Sequence, residues 1–299
     1  MNKNTAKIEE SANRQSETAT LPIGIFDSGV GGLTVYRALH NRLPNERFIY
    51  LGDTARVPYG TKSLATVERY AIENSTFLAS RGIKILVVAC NTASALALPK
   101  IRKQIGLDVV GVIGPGARKA VEVTSPNPLI AVIATEATIQ SGAYAASIRQ
   151  ASATAEIIQT ACPLFVPLAE ENWTREAETF SIAEKYLRKI VEFEPEALVL
   201  GCTHYPILRE VIQQTVGAHV KLIDSGEACA EEVEKLLTAK DLANPNQITG
   251  ERRLCDDLDH FYVTDAADRF ARVAERFLGS PPAKLEAIEV FGVDKLEGK

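Results

Sequence analysis

The chain has 299 residues, of which 46% are hydrophobic, and its formal net charge at pH 7 is -5. This length and composition predict two domains with a sizeable core, and the negative charge argues against a nucleic-acid partner. The hydrophobic runs are too short to cross a bilayer, and residues 1–20 are polar, without the apolar stretch of a secretory signal. We therefore expect a cytoplasmic protein whose first 20 residues form a disordered tail.

Short aliphatic strands alternate along the chain with longer amphipathic segments. This alternation predicts an α/β fold with parallel sheets covered by helices, in which ligands bind beyond the carboxyl ends of the strands. The predicted strands are 23–26, 47–51, 83–89, 109–113, 129–134, 155–160, 197–200, 220–223 and 260–263. The predicted helices are 33–41, 64–81, 95–105, 141–150, 174–192, 227–238 and 266–278.

Two pairs of segments resemble each other, each with a strand that runs into a polar turn. "ILVVACNTAS" at 85–94 is similar to "ALVLGCTHYP" at 197–206, and "GIFDSGVGG" at 24–32 is similar to "LIDSGEACA" at 222–230. The similarity indicates two α/β lobes related by an approximate two-fold axis, which would bring two cysteines to opposite walls of one cleft. The alternative is that strand ends in α/β proteins often look alike.

The five cysteines have no CxxC or Cys/His spacing typical of zinc, so we expect no metal site. Their odd number fits free thiols in the cytoplasm. Cys162, Cys229 and Cys255 are interpreted as inert packing groups. Cys90 and Cys202 differ because each directly follows a predicted strand, at a point where a helix begins.

The residues around these two thiols indicate acid–base chemistry. Helix starts favour the thiolate form, and His204 is placed to support Cys202 or to shuttle its proton. Asp27, at the end of the first predicted strand, is placed to support Cys90 in the same way. Because a carboxylate charge would raise the pKa of a nearby thiol, we interpret Asp27 as a proton acceptor or an orienting group and not as a group that stabilises the thiolate. Two thiols on opposite sides of one carbon suit inversion, since one removes a proton and the other delivers a proton to the opposite face. The sequence thus predicts a racemase or epimerase.

The neutral donors beside the cysteines fit an amino-acid substrate, because hydroxyls, amides and helix-start N–H groups bind a carboxylate without Lys or Arg. The run "DSGVGG" at 27–32 is not a dinucleotide fingerprint, since Thr34 stands where the third glycine is required. It is either a tight turn or a cradle for the substrate carboxylate. The expected substrate contacts are Ser28, Tyr59, Gly60, Asn91, Thr92 and Thr203.

Six stretches, together covering about residues 21–280, resemble the glutamate racemases of the aspartate/glutamate racemase superfamily. They occur in the family's order. They are "GIFDSGVGGLTV" (24–35), "GDTARVPYG" (52–60), "VVACNTAS" (87–94), "CPLFVPLAE" (162–170), "LVLGCTHYPIL" (198–208) and "LIDSG" (222–226).

The resemblance implies interconversion of L- and D-glutamate without pyridoxal phosphate, any other cofactor or a metal, supplying D-glutamate for peptidoglycan. It implies that Cys90 acts on D-glutamate and Cys202 on L-glutamate, with Asp27 and His204 as auxiliary groups and Glu170 as a further acidic residue near the site. The substrate-binding pairs that it implies are Asp27–Ser28, Tyr59–Gly60, Asn91–Thr92 and Thr203–His204.

The resemblance also implies a division of the chain, with the active site in the cleft between two lobes. The first lobe comprises 21–115 and 225–280, and the second comprises 116–224. The tail at 1–20 and a C-terminal extension at 281–299 lie outside the shared core. Homodimers are common in the family, and some members with an N-terminal extension need UDP-N-acetylmuramoyl-L-alanine as an activator.

Three other functions remain open. A racemase acting on aspartate or a hydantoin is the nearest, although the run Thr203–Pro206 and the Asp27-Ser28-Gly29 turn favour glutamate. A thiol hydrolase or transferase would form an acyl intermediate on one cysteine and leave the second unexplained. A periplasmic-type binding module fits a two-lobed shape, but the thiols at both strand ends and the absence of a signal segment count against it.

Overall fold

The structure is a computed structural model that describes residues 15, 17–248, 250 and 252–290. Within this part of the chain, strands and helices alternate as predicted. The strands are β1 (Ile23–Asp27), β2 (Phe48–Gly52), β3 (Ile85–Val88), β4 (Asp108–Gly111), β5 (Leu129–Ala134), β6 (Glu156–Ala161), β7 (Ala197–Gly201), β8 (Lys221–Asp224), β9 (His260–Val263) and β10 (Leu285–Ala287).

The α-helices flank these strands. They are α1 (Leu33–Arg42), α2 (Leu64–Ser80), α3 (Asn91–Leu96), α4 (Leu98–Gln104), α5 (Ile113–Glu122), α6 (Glu136–Gln140), α7 (Ala143–Ala151), α8 (Phe165–Glu170), α9 (Ala177–Phe193), α10 (Arg209–Val216), α11 (Ser225–Ala239) and α12 (Ala267–Leu278). Two short 3-10 turns, Tyr59–Thr61 and Tyr205–Leu208, follow β2 and β7. No helix among the described residues combines the length and apolar character that crossing a membrane requires.

The strands form two parallel sheets, which make the two lobes of the fold. The first sheet has the order β10-β9-β2-β1-β3-β4, and the second has the order β6-β5-β7-β8. The chain thus builds the first sheet as far as β4, completes the second, and returns to the first with β9 and β10. This confirms the predicted α/β class, while the exact domain limits (21–115 with 225–280, and 116–224) and the two-fold axis stay predictions.

The central strands are buried because helices cover both faces of each sheet. Every residue of β1, β3 and β7 is buried, which explains why these strands are nearly continuous aliphatic runs with no polar alternation. Because the strands themselves are buried and apolar, the polar side chains stand just beyond the carboxyl ends of the strands.

The helices differ from the prediction at several places, and the short helices α6, α8 and α10 were not predicted. The expected helix at 95–105 is two helices, α3 and α4, that meet at Ala97, and α3 starts at Asn91 because Cys90 caps it. Helix α5 was not predicted, because it contains Pro115 and Gly116, residue types that disfavour helices. Pro115 lies in its first turn, where a missing backbone N–H does no harm.

The chain ends also carry structure. Residues 17–19 are helical, Ala19 is buried, and its carbonyl accepts a 2.7 Å hydrogen bond from Lys84 Nζ. These residues therefore differ from the predicted disordered tail, whose residues 1–14 and 16 lie outside the described residues. Within the predicted C-terminal extension, β10 pairs with β9 at the edge of the first sheet, and 291–299 lie outside the described residues.

Candidate active site

One cavity collects the predicted site residues of both lobes. With a volume of about 70 Å³, it is far below the roughly 300–1,000 Å³ of sites for drug-sized ligands, which favours a compact substrate. Of the predicted residues, all except Asp27 line it. The lining residues are Ser28, Gly29, Val57, Pro58, Tyr59, Gly60, Cys90, Asn91, Thr92, Thr135, Val166, Glu170, Cys202, Thr203 and His204.

Parallel strands explain this convergence, because their carboxyl ends lie at one edge of each sheet. Asp27 is the last residue of β1, and Cys90 lies two residues beyond the end of the neighbouring strand β3. In the second sheet, Cys202 directly follows β7. The two cysteines therefore reach the same cavity from opposite sheets, as the segment similarity predicted.

Cys90 caps the N-terminus of α3, where its Sγ accepts from the Ala93 backbone N–H at 3.5 Å. The Ser28 hydroxyl lies 3.5 Å from the same sulfur. Burial, helped by the nearby Asp27 charge, raises the pKa of the Cys90 thiol to about 12 despite these hydrogen bonds. Burial thus opposes the Cys90 thiolate that the helix start was expected to favour.

Asp27 lies behind the cavity and is fully buried. Its Oδ2 accepts from the Gly29 backbone N–H at 2.9 Å, whereas Oδ1 has no hydrogen-bond partner among the described residues. Burial raises the pKa of Asp27, although the His204 charge and nearby backbone N–H groups oppose the shift. A carboxyl group with a raised pKa and an unpaired oxygen is suited to exchange a proton.

The other side of the cavity carries a row of three side chains in consecutive contact, Cys202, His204 and Glu170. His204 Nδ1 lies 3.8 Å from Cys202 Sγ, and its Nε2 lies 3.1 Å from Glu170 Oε1. Burial lowers the pKa of His204, but the hydrogen bonds to Cys202 and Glu170 outweigh burial and raise it to about 10. Burial likewise opposes ionisation of Glu170, yet the contacts with His204 and Arg269 leave its pKa below the usual value. The row is thus an imidazolium between a sulfur and a carboxylate.

Asn91 and Thr92 join the two lobes at the cavity. Asn91 Oδ1 accepts from the Tyr144 hydroxyl at 2.6 Å, and its Nδ2 has no partner within the described part of the chain. The Thr92 hydroxyl lies 3.0 Å from that of Thr135 and 3.3 Å from that of Thr138, both in the second lobe. Asn91 therefore has a buried donor to offer a ligand, as the sequence suggested for this residue.

Tyr59 lines the cavity, but its hydroxyl is engaged elsewhere. Its hydroxyl donates to Asp53, a fully buried carboxylate that also accepts from Arg56 Nε, Asn74 Nδ2 and the Thr264 hydroxyl. With its hydroxyl bound there, Tyr59 presents its ring and backbone to the cavity. The Asp53 cluster fixes the loop that carries this wall.

The glycines of "DSGVGG" form a turn at the cavity and also have a steric role. A Cβ atom on Gly31 would lie 2.3 Å from Thr203 Oγ1 and 2.5 Å from His204 Nδ1, and one on Gly32 would lie 2.4 Å from Asp27 Cβ. Such distances are impossible for real side chains. The motif is glycine-rich because the backbone must approach the catalytic candidates of both lobes.

Several lining residues were not predicted from the sequence. Thr135 directly follows β5, so its position at a strand end was a usable signal. Val57 and Pro58 precede the predicted Tyr59, whereas Val166 gives no signal because a valine on a short helix is normally a packing residue.

The other cysteines stay outside the cavity. Cys162, Cys229 and Cys255 are buried, and burial raises the pKa of each thiol, to about 12 for the last two. Among the described residues, no cluster of three or more His, Cys, Asp or Glu side chains is arranged to hold a metal ion.

Comparisons with known proteins identify the family of this chain. Residues 23–233 match the Asp/Glu/Hydantoin racemase family. A glutamate racemase of Geobacter metallireducens is 50% identical over 257 residues, which cover 86% of this chain and 92% of that protein.

Solved structures give the same result for the fold. The glutamate racemase of Francisella tularensis in complex with D-glutamate has a TM-score of 0.82 and 37% identity, covering 91% of this chain and 98% of that chain. The Escherichia coli glutamate racemase, in complex with L-glutamate and the activator UDP-MurNAc-Ala, has a TM-score of 0.72 and 29% identity, covering 91% of this chain and all of that chain. By sequence and fold, this chain belongs to the aspartate/glutamate/hydantoin racemase family and, within it, to the glutamate racemases.

Proposed function

We propose that this protein interconverts L- and D-glutamate by proton transfer between the substrate α-carbon and two cysteines, and so supplies D-glutamate for peptidoglycan. The observation that carries the proposal is the single cavity lined by Cys90 from one lobe and Cys202 from the other. A single base would tend to return the proton to the face from which it came, whereas a base and an acid on opposite faces invert the centre.

The two sides of the cavity suit opposite roles. His204 holds a proton near neutral pH and lies against the Cys202 sulfur, an arrangement that favours Cys202 as the base that removes the α-proton of L-glutamate. Cys90, whose pKa is raised to about 12 by burial, keeps its proton and is the acid that protonates the opposite face. The product of this transfer is D-glutamate, and the reverse reaction exchanges the two roles.

Auxiliary groups restore the protons after each turnover. Asp27, next to Cys90 and with a raised pKa caused by burial, exchanges a proton with that thiol. His204 does the same for Cys202, while Glu170 accepts from its Nε2 and so aims Nδ1 at the sulfur. Each cysteine thus has its own general acid–base partner.

Neutral donors bind the substrate in the proposal. The unpaired Nδ2 of Asn91 and the hydroxyls of Ser28, Thr92 and Thr203, all at the cavity, supply hydrogen bonds to the carboxylates. The Gly60 backbone packs closely against Thr135 at the cavity, since a Cβ on Gly60 would lie 3.0 Å from Thr135 Cβ.

A racemisation assay by circular dichroism tests the proposal. Circular dichroism follows the loss of optical activity when the purified protein is incubated with L- or D-glutamate, with L-aspartate as a comparison substrate. We expect both glutamate enantiomers to racemise and, in D₂O, the D-glutamate formed from L-glutamate to carry deuterium at Cα. Racemisation of aspartate but not glutamate would point to the nearest alternative, and absence of any exchange would contradict racemase function altogether.

The family resemblance supports two further proposals. The first is activation by UDP-N-acetylmuramoyl-L-alanine, and the second is assembly as a homodimer. The N-terminal tail is the segment to which we assign the response to the activator. Assays with and without this compound, on the full chain and on a variant that starts at Leu21, test that role. An unchanged activity and response in the shortened variant would refute it, and light scattering reports the oligomeric state.

A further inference from the structure

The last described helix reaches across the cavity edge to the second lobe. Helix α12 is anchored on the first lobe by Phe270, whose ring centroid lies 5.8 Å from that of Tyr50 in β2. From there it contacts Glu170, the final residue of α8, which follows β6 of the second sheet. Arg269 binds the Glu170 side chain at 3.0 Å, and Arg276 NH1 donates to its backbone carbonyl, also at 3.0 Å.

These contacts determine where the Glu170 carboxylate lies. Its Oε1 accepts from His204 Nε2 at 3.1 Å, and its Oε2 is the atom bound by Arg269. One hydrogen bond would leave a carboxylate free to rotate, whereas one bond to each oxygen fixes its plane. The Arg276 cation also fits the C-terminus of α8, where backbone carbonyls lack helical partners.

Helix α12 also touches the imidazole itself. The ring of Phe277 lies edge-on to His204, with ring centroids 6.3 Å apart and an interplanar angle of 87°. A single helix of the first lobe thus holds both the imidazole and the carboxylate that orients it. Neither Arg269 nor Phe277 lines the cavity, so neither is placed to touch the substrate.

We propose that Arg269 is a positioning residue for the Cys202 side of the reaction: it fixes Glu170, which orients His204 toward Cys202. The inference rests on the proposed two-cysteine racemisation of glutamate and deepens it. Arg269 is 61% exposed at its side chain, and ion pairs this exposed add little to stability. Its contribution is therefore expected in catalysis, and hardly at all in folding.

Arg269→Gln is the main test, with Arg269→Lys as the conservative variant. Arg272→Gln is the matched control, since Arg272 is another exposed arginine of α12. Loss of a group that only orients an auxiliary residue should lower kcat/KM by about tenfold, less than the loss of a general acid–base residue itself. We expect Arg269→Lys to recover most of that loss, Arg272→Gln to match the wild type, and the melting temperatures to agree within about 4 °C.

Deuterium isotope effects show on which side Arg269 acts. The two glutamate enantiomers are equally stable, so the equilibrium constant fixes the ratio of kcat/KM for the two directions. A variant therefore loses kcat/KM equally in both directions, and this loss does not reveal which cysteine is affected. If the Cys202 step is slowed, the isotope effect on kcat/KM for α-deuterated L-glutamate rises, because Cys202 breaks that bond. The effect for α-deuterated D-glutamate falls, because reprotonation by Cys202 then limits the rate.

A double variant completes the design. Arg269→Gln should cost much less in a Glu170→Gln background than alone, because Arg269 acts through Glu170. Unchanged isotope effects, an equal loss in Arg272→Gln, or full additivity with Glu170→Gln would each overturn the proposal. Failure of the proposed function looks different, since the wild-type protein itself would then not racemise glutamate.

Discussion

Replacing Gly31 with alanine tests whether the close approach of the Gly31 backbone to Thr203 and His204 is needed for catalysis. The added Cβ would lie 2.3 Å from Thr203 Oγ1 and 2.5 Å from both Nδ1 and Cε1 of His204. Carbon atoms in contact normally lie about 3.5–4.0 Å apart, so the His204 ring and Gly31 must separate by about 1 Å. Displacement of a catalytic group by about 1 Å costs roughly 100-fold in rate, and we expect that loss in kcat/KM.

The same substitution should lower the free energy of unfolding by about 1–3 kcal/mol, the usual cost of overpacking a filled site. The circular dichroism racemisation assay gives the rate, and urea denaturation gives the stability. Gly106→Ala is the control, because a Cβ there meets no atom within 4 Å. A folded Gly31→Ala protein with wild-type racemisation would refute the reasoning that the glycine motif makes room for His204 and Thr203.

Two further predictions concern stability. Asp53→Ala should lower the free energy of unfolding in urea by about 3–5 kcal/mol, because it removes a fully buried carboxylate that pairs with Arg56 and accepts from Tyr59 and Asn74. Lys100→Ala, which breaks an exposed pair, should cost at most about 1 kcal/mol, and equal losses would refute the assignment. Burial lowers the pKa of His204, but its hydrogen bonds raise it from 6.5 to about 10, so its stabilising contribution is complete below pH 6.5 and is lost as the pH rises through 10. The stability difference between wild type and Glu170→Gln should therefore shrink over this range, and a constant difference would contradict the assigned pKa.

Much of the fold follows from the sequence because buried parallel strands leave a strong aliphatic signal. β5 was predicted with its exact bounds, and β7 within one residue. Helices that contain helix-breaking residues were harder. The α5 segment contains Pro115 and Gly116, which normally end helices, but Pro115 lies in the first turn, where a backbone N–H would have no intrahelical partner.

The candidate site was predictable where its residues follow strands. Asp27, Cys90 and Cys202 stand at strand ends, and the structure brings the two cysteines to one cavity, with Asp27 directly behind it. The features of the site that could not be predicted depend on contacts between segments that are far apart in the sequence. The ionisation of Cys90 depends on its burial between lobes, and the contact of Arg269 with Glu170 joins residues 99 positions apart.

The most direct test of the two-cysteine account compares Cys90→Ser and Cys202→Ser with the wild type. Each variant is incubated with L-glutamate in D₂O, and the enantiomers and their α-deuterium content are measured by chiral chromatography and NMR, with far-UV circular dichroism as the check on folding. We expect both variants to stay folded and to lose D-glutamate formation by at least about 100-fold, the lower range for loss of a general acid–base group. Racemisation at close to the wild-type rate by either serine variant would contradict the account.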